Sequence, residues 1–158
     1  MRQALTFEIR PVTPDDVPEV LALVRDVLAE FGLEFGSGCH TDTELEALPG
    51  WYTGAGGAFW VVERDGRLCG TCGVIPVGPG EFELRKMYLR GETRGHGLGQ
   101  RLLDRALGFA RGAGASRMVL DTVDEMTAAI AFYEANGFVR DDAQVRAPRC
   151  TRGYSRAL

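Results

Sequence analysis

Residues 94–99 read Arg-Gly-His-Gly-Leu-Gly, and an amphipathic helix follows directly. Glycines at such a junction let the backbone take positive φ and let a ligand come close. The first turn of the helix adds unpaired N–H groups and the positive end of its dipole. That combination holds phosphate without a lysine. The dinucleotide fingerprint G-x-G-x-x-G does not fit: counted from Gly95 its third glycine falls on Gln100, and from Gly97 on Leu102. Asp121 lies about 20 residues on, where a ribose-binding acid would sit, but three hairpin-linked strands precede the loop instead of alternating strand and helix. A GxxxxGK[ST] phosphate loop is absent. Cys69-Gly-Thr-Cys72 is a C-x-x-C within a strand pattern, where residues three apart face opposite ways. It reads as two small buried residues. Cys39-His40 and Cys150 supply no second metal-spaced pair, so no metal site is expected.

The elements around this corner follow from periodicity and turn chemistry. A strand over 7–12 leads to Thr13-Pro14-Asp15-Asp16, a helix start with a cap, an early proline and two acids. Val17, Val20, Leu21, Val24, Leu28 and Phe31 then recur at helical spacing, up to Gly32. A short helix is predicted over 41–48 and a glycine-rich loop over 51–57. Strands over 58–63 and 68–77 flank an Asp65-Gly66 hairpin. The strand 81–89 has Phe82 and Leu84 in one phase and Met87 and Leu89 in the other. A bulge at Arg85-Lys86 would keep all four on the core face. Glu83 and Tyr88 would share the opposite face. A helix over 98–111, a buried strand over 117–123 parallel to 81–89, a helix over 125–135 closed by Asn136-Gly137, and strands over 138–146 and 151–157 complete the reading.

The chain has 158 residues, and neither a repeat nor a linker divides it, so one domain spanning 1–158 is expected. The fold class is α/β: a mixed, twisted sheet of six or seven strands with helices on both faces. A net charge of −4 argues against general nucleic-acid affinity. No run of about 18 apolar residues suggests a membrane partner, and the opening residues carry no apolar signal core. A cytoplasmic location is the expectation.

The order strand, Arg94-x-x-Gly97-x-Gly99, helix resembles the coenzyme A motif of the GNAT-type N-acetyltransferases. The resemblance extends over "ELRKMYL" (83–89), "RGHGLG" (94–99), "MVLDT" (118–122) and "AIAFYEANGF" (129–138). It implies acetyl-coenzyme A as cofactor. The backbone of Met87, Tyr88 and Leu89 would meet the pantetheine arm. The N–H groups of Arg94, Gly95, His96, Gly97, Leu98, Gly99 and Gln100 would hold the pyrophosphate, and His96 would contribute only its N–H. Tyr133 matches the tyrosine that lies near the cofactor sulfur in many members. The family often carries Asn seven residues earlier; here that position is Met126.

The resemblance implies acetyl transfer to a primary amine, with a small molecule as acceptor and a peptide or protein amine as the wider option. Attack would be direct, in a ternary complex, because no cysteine is placed as an acyl carrier. Tyr133 would protonate the leaving thiolate, and Glu83 would take the proton of the acceptor ammonium, with Glu81 as competing acid. The Leu89 N–H would polarise the thioester carbonyl. A non-catalytic acyl-coenzyme A sensor is the alternative, and exposed final strands would allow a homodimer. The stretch 26–63 has seven acids and no Lys or Arg, which predicts a small cationic acceptor. The arginines at 140–156 would instead suit a carboxylate.

Overall fold

The computed structural model describes residues 6–36 and 40–158. The opening residues 1–5 and Cys39 lie outside this range. Strand β1 (Glu8–Pro11) leads through a 3-10 turn to helix α1 (Val17–Glu30). A 3-10 segment (His40–Ala47) and the short helix α2 (Gly50–Gly54) follow. Strands β2 (Ala58–Arg64), β3 (Arg67–Gly78) and β4 (Glu81–Leu89) form a meander. Helix α3 (Leu98–Gly112), β5 (Arg117–Thr122), helix α4 (Thr127–Ala135), β6 (Val139–Arg140) and β7 (Arg152–Ala157) complete the chain.

Among the described residues, seven strands join one sheet in the order β1-β2-β3-β4-β5-β7-β6. Only β4 and β5 among the described residues run parallel, linked through α3. The sheet is buried on both faces. Leu98, Leu102, Leu103 and Ala106 of α3, with Ile130 and Tyr133 of α4, pack on Trp60, Val62, Leu84, Met118 and Leu120. Val20, Leu23, Val24 and Leu28 of α1 pack with Phe59, Val61 and Ile75 on the other side. Such two-sided coverage is what a sheet with a parallel pair requires. No helix among the described residues is long and apolar enough to cross a membrane.

Local chemistry accounts for most element ends. The Thr13 N–H donates to the Asp16 carboxylate at 2.7 Å at the entrance to α1. Asp65 and Gly66 both take positive φ, as a two-residue hairpin turn demands. The β4 bulge lies where the phase shift placed it. Gly73 opposes Arg85 and Thr71 opposes Tyr88, so β4 holds one extra residue. Lys86 takes φ 53° there.

Three expectations are corrected. The loop over 51–57 is helical at its start. Tyr52 is fully buried against Phe59, with Gly73 beneath its ring, and this burial outweighs poor glycine propensity. The strand over 138–146 stops at Arg140, and the chain turns through a 3-10 segment, Asp142–Gln144. There Asp142 accepts from the Gly153 N–H at 3.2 Å, so turn chemistry replaces the ladder. Cys69 and Cys72 do not face opposite ways. The β2–β3 register shifts between Val62 and Glu63, and both cysteines enter the same core cluster.

Candidate active site

The sheet opens at its parallel pair. Pairing of β4 with β5 runs from Glu81↔Arg117 to Glu83↔Val119 and, among the described residues, goes no further. The bulge at Lys86 bends β4 away, while β5 continues against β7. The wedge between them is a cavity of about 140 Å³. Leu84, Met87 and Tyr88 of β4, Leu120 and Thr122 of β5, and Tyr133 of α4 contribute to its walls.

Backbone polarity follows from strand alternation. The Arg90 N–H donates to Cys69 O of β3 at 2.9 Å. The preceding Leu89 N–H therefore points away from β3, toward the wedge. The Leu89 carbonyl is engaged differently from the expected backbone pairing with a ligand: it accepts from Arg94 Nη2 at 2.9 Å. Arg94 also reaches Glu30 on α1 at 2.8 Å, so its side chain braces the loop.

The glycine corner has the anticipated form. Gly95 and Gly97 take φ 84° and 74°, and Gly97 is the N-cap of α3. The first bond of the helix is Arg101 N–H to Gly97 O at 3.2 Å. The N–H groups of Leu98, Gly99 and Gln100 precede it and are available to an anion. The His96 ring packs at a tilt against Phe7, with ring centroids 5.4 Å apart. Gly99 sits over the wedge wall: a Cβ there would lie 3.7 Å from Met87 Cε. An open strand edge leading to a helix N-terminus fits an extended polar arm ending in phosphates.

The ionisable groups form two networks. Glu83 is buried and accepts from Arg85 Nε at 2.7 Å and from Arg146 Nη1 at 2.9 Å. Arg85 also contacts Glu44 at 3.1 Å. In the second network, Asp42 is fully buried and bonds Lys86 Nζ, Arg149 and the Gly36 N–H. Burial raises the Asp42 pKa, but the Arg149 and Lys86 charges outweigh it and hold the carboxyl below its ordinary value. Asp121 serves the backbone, accepting from the N–H groups of Arg146 and Ala147 at 2.8 and 2.9 Å. Burial pushes the Tyr133 phenol well above its ordinary pKa, so it stays protonated at neutral pH.

Tyr133, Glu83, Met87 and Tyr88 thus meet in one cavity. Glu81 is not in its lining; it pairs with Arg117 at 3.0 Å at the closed end of the wedge. The expected acidic acceptor wall is absent from the cavity. Asp26, Glu30, Glu44 and Glu63 pair with Arg90, Arg94, Arg85 and Arg10, and Asp42 pairs with Lys86 and Arg149. Sequence reading gave no role in this site to Asp42 or Lys86 and weighed Asp121 only as a ribose-binding acid. Only the arginine-rich tail signalled Arg146 and Arg149.

The family model for the acetyltransferase (GNAT) family matches residues 23–138, well over half of the chain. The chain belongs to the GNAT acetyltransferase family. The uncharacterized N-acetyltransferase YjgM of Escherichia coli is 37% identical over 138 residues, covering 85% of this chain and 83% of that protein. The uncharacterized N-acetyltransferase C1271.07c of Schizosaccharomyces pombe is 35% identical, covering 79% and 77%. Among solved structures, a GNAT acetyltransferase of Staphylococcus aureus Mu50 superposes with a TM-score of 0.90 at 22% identity, covering 97% of this chain and 99% of that one. The PaiA N-acetyltransferase of Thermoplasma acidophilum, solved with coenzyme A, superposes with a TM-score of 0.72 at 17% identity, covering 98% and 100%. This GNAT protein is an acetyl-coenzyme A-dependent N-acetyltransferase, and the reaction passes an acyl group to an amine.

Proposed function

We propose that this protein acetylates the primary amine of a small molecule in the wedge between β4 and β5. The observation that carries the reading is that one cavity holds Tyr133 and Glu83 beside the bulged strand. Bound acetyl-coenzyme A supplies the acetyl group as a reactive thioester. The N–H groups of Leu98, Gly99 and Gln100 would hold its phosphates, and the β4 edge at Met87, Tyr88 and Leu89 would align its arm. Fixed backbone dipoles cost no reorganisation during reaction, and the Leu89 N–H would stabilise charge on the carbonyl oxygen.

The acceptor nitrogen forms its bond to the acetyl carbon as the carbon–sulfur bond breaks. Glu83 takes the proton the ammonium must lose, directly or through water. The Tyr133 phenol gives a proton to the departing sulfur and regains one from solvent. Its raised pKa keeps that proton in place at neutral pH. Among the described residues, Cys69 and Cys72 are buried in the core and Cys150 reaches the cavity lining.

The test is release of free thiol from acetyl-coenzyme A across polyamines, amino acids, aminoglycosides and short peptides. Amine-dependent release is expected. Tight cofactor binding with no release from any amine would favour an acyl-coenzyme A sensor instead.

A further inference from the structure

Arg85, Lys86, Arg146 and Arg149 line the wedge together with Glu83 and Asp121. Most of these groups are committed. Arg149 grips both oxygens of the buried Asp42, at 2.8 and 3.1 Å. Lys86 closes on the same carboxylate, and Arg85 spans Glu83 and Glu44. Asp121 is occupied by two backbone N–H groups.

Arg146 differs. Its side chain is 38% exposed, against 14% for Arg85 and 12% for Arg149. Its further contact is a 3.3 Å bond to the Gln144 side-chain oxygen. Its backbone, in contrast, is pinned by Asp121. The guanidinium can therefore turn into the cavity without moving the loop. Its partner Glu83 keeps Arg85 when Arg146 leaves.

We propose that the acceptor is a small amino acid and that Arg146 reads its carboxylate, leaving Glu83 as it does so. The inference rests on the acetyl-transfer reading of this cavity. An arginine meets a carboxylate through two parallel charge-assisted bonds, a geometry a lone amine cannot offer. Removal of Arg146 from Glu83 uncovers the base as the correct acceptor arrives. The amine then loses its proton to Glu83, the new nitrogen–carbon bond forms, and the sulfur leaves with the Tyr133 proton. Leu33, Val123 and Met126 line the same cavity and accommodate an apolar side chain.

Thiol release from acetyl-coenzyme A with leucine, leucinamide and isopentylamine tests this on the full chain. The three share a skeleton and differ in the carboxylate. Leucinamide holds more free amine at neutral pH, so intrinsic reactivity runs against the expected order. Leucine should nonetheless exceed both by at least tenfold in kcat/KM, the scale of one charged hydrogen-bonding pair. Arg146→Gln should bring the leucine-to-leucinamide ratio to within about threefold of unity, and Arg146→Lys should restore part of it. Arg140→Gln, at an exposed ion pair outside the cavity, should leave the ratio unchanged. Stabilisation of Arg146→Gln by coenzyme A shows that it is folded and loaded. Equal or faster turnover of the two carboxylate-free amines would overturn the inference while leaving acetyl transfer intact. A preference for leucine that survives Arg146→Gln would remove Arg146 as its reader. Failure of every amine to release thiol would instead sink the acetyl-transfer reading beneath it.

Discussion

Tyr133 and Glu83 reach the same cavity under opposite constraints. Tyr133 packs against Phe138 and Phe132 with centroids 5.8 Å away in each case, and its phenol is raised in pKa by burial. Tyr133→Phe keeps the ring and removes the proton. Turnover should fall roughly 10²-fold, within the range for one general acid, with little change in cofactor affinity. Single-turnover rates with saturating acceptor check this. Asp42 has a different kind of importance, since it neutralises Lys86 and Arg149 inside the fold. Asp42→Ala leaves both cations without that partner and should cost about 3–5 kcal/mol in urea unfolding. The pH dependence has a definite sign. Asp42 has a folded pKa below its unfolded value. Its stabilising contribution is therefore full above the unfolded pKa of about 4 and is lost as pH falls through the lower folded value. The stability gap between wild type and Asp42→Asn should be constant from pH 7 to 5 and shrink in more acid solution.

At the scale of elements, the decisive features are a bulge and a helix start. The extra residue at Lys86 separates β4 from β5 and creates the wedge. Gly97 caps α3 in the left-handed region, with nothing within 4 Å of where a Cβ would lie. Gly97→Val therefore meets no steric block, only backbone conflict for a β-branched residue. The junction should shift, and coenzyme A affinity should drop at least tenfold in calorimetric titration while far-UV circular dichroism stays native. Gly99 behaves otherwise. Its Cβ direction leads to Met87 and Phe132 at ordinary contact distance, so Gly99→Ala should bind normally and Gly99→Val should press on the wedge wall.

For the whole molecule, the prediction concerns linkage. Coenzyme A or acetyl-coenzyme A at a hundredfold excess over Kd should stabilise the fold by about 2.7 kcal/mol. NAD and S-adenosylmethionine should not. Thermal melts with each ligand decide it, and stabilisation by NAD alone would contradict the cofactor reading of the glycine corner. Bound in the proposed site, the ligand would join α3, β4 and α4, so its effect is expected on the global transition.

What the sequence determined by itself was whatever depends on neighbours along the chain. The Asp65-Gly66 turn, the α1 start at Thr13 to Asp16, the Gly97 corner and the Lys86 bulge each follow from a few adjacent residues. Turn preferences and periodicity act over that range. That Tyr133 and Glu83 line one cavity was legible only through the family resemblance, since fifty positions' worth of chain separates them. Tertiary structure alone decided the charges. Seven acids over 26–63 read as a free acidic face, yet the fold spends five of them on arginines and a lysine from β1, β4, the loop before α3 and the segment before β7. The turn at Asp142–Gln144 then carries Arg146 back onto Glu83, 63 positions away in sequence. A charge's partner is set by where the folded backbone crosses itself, and sequence periodicity has no access to that.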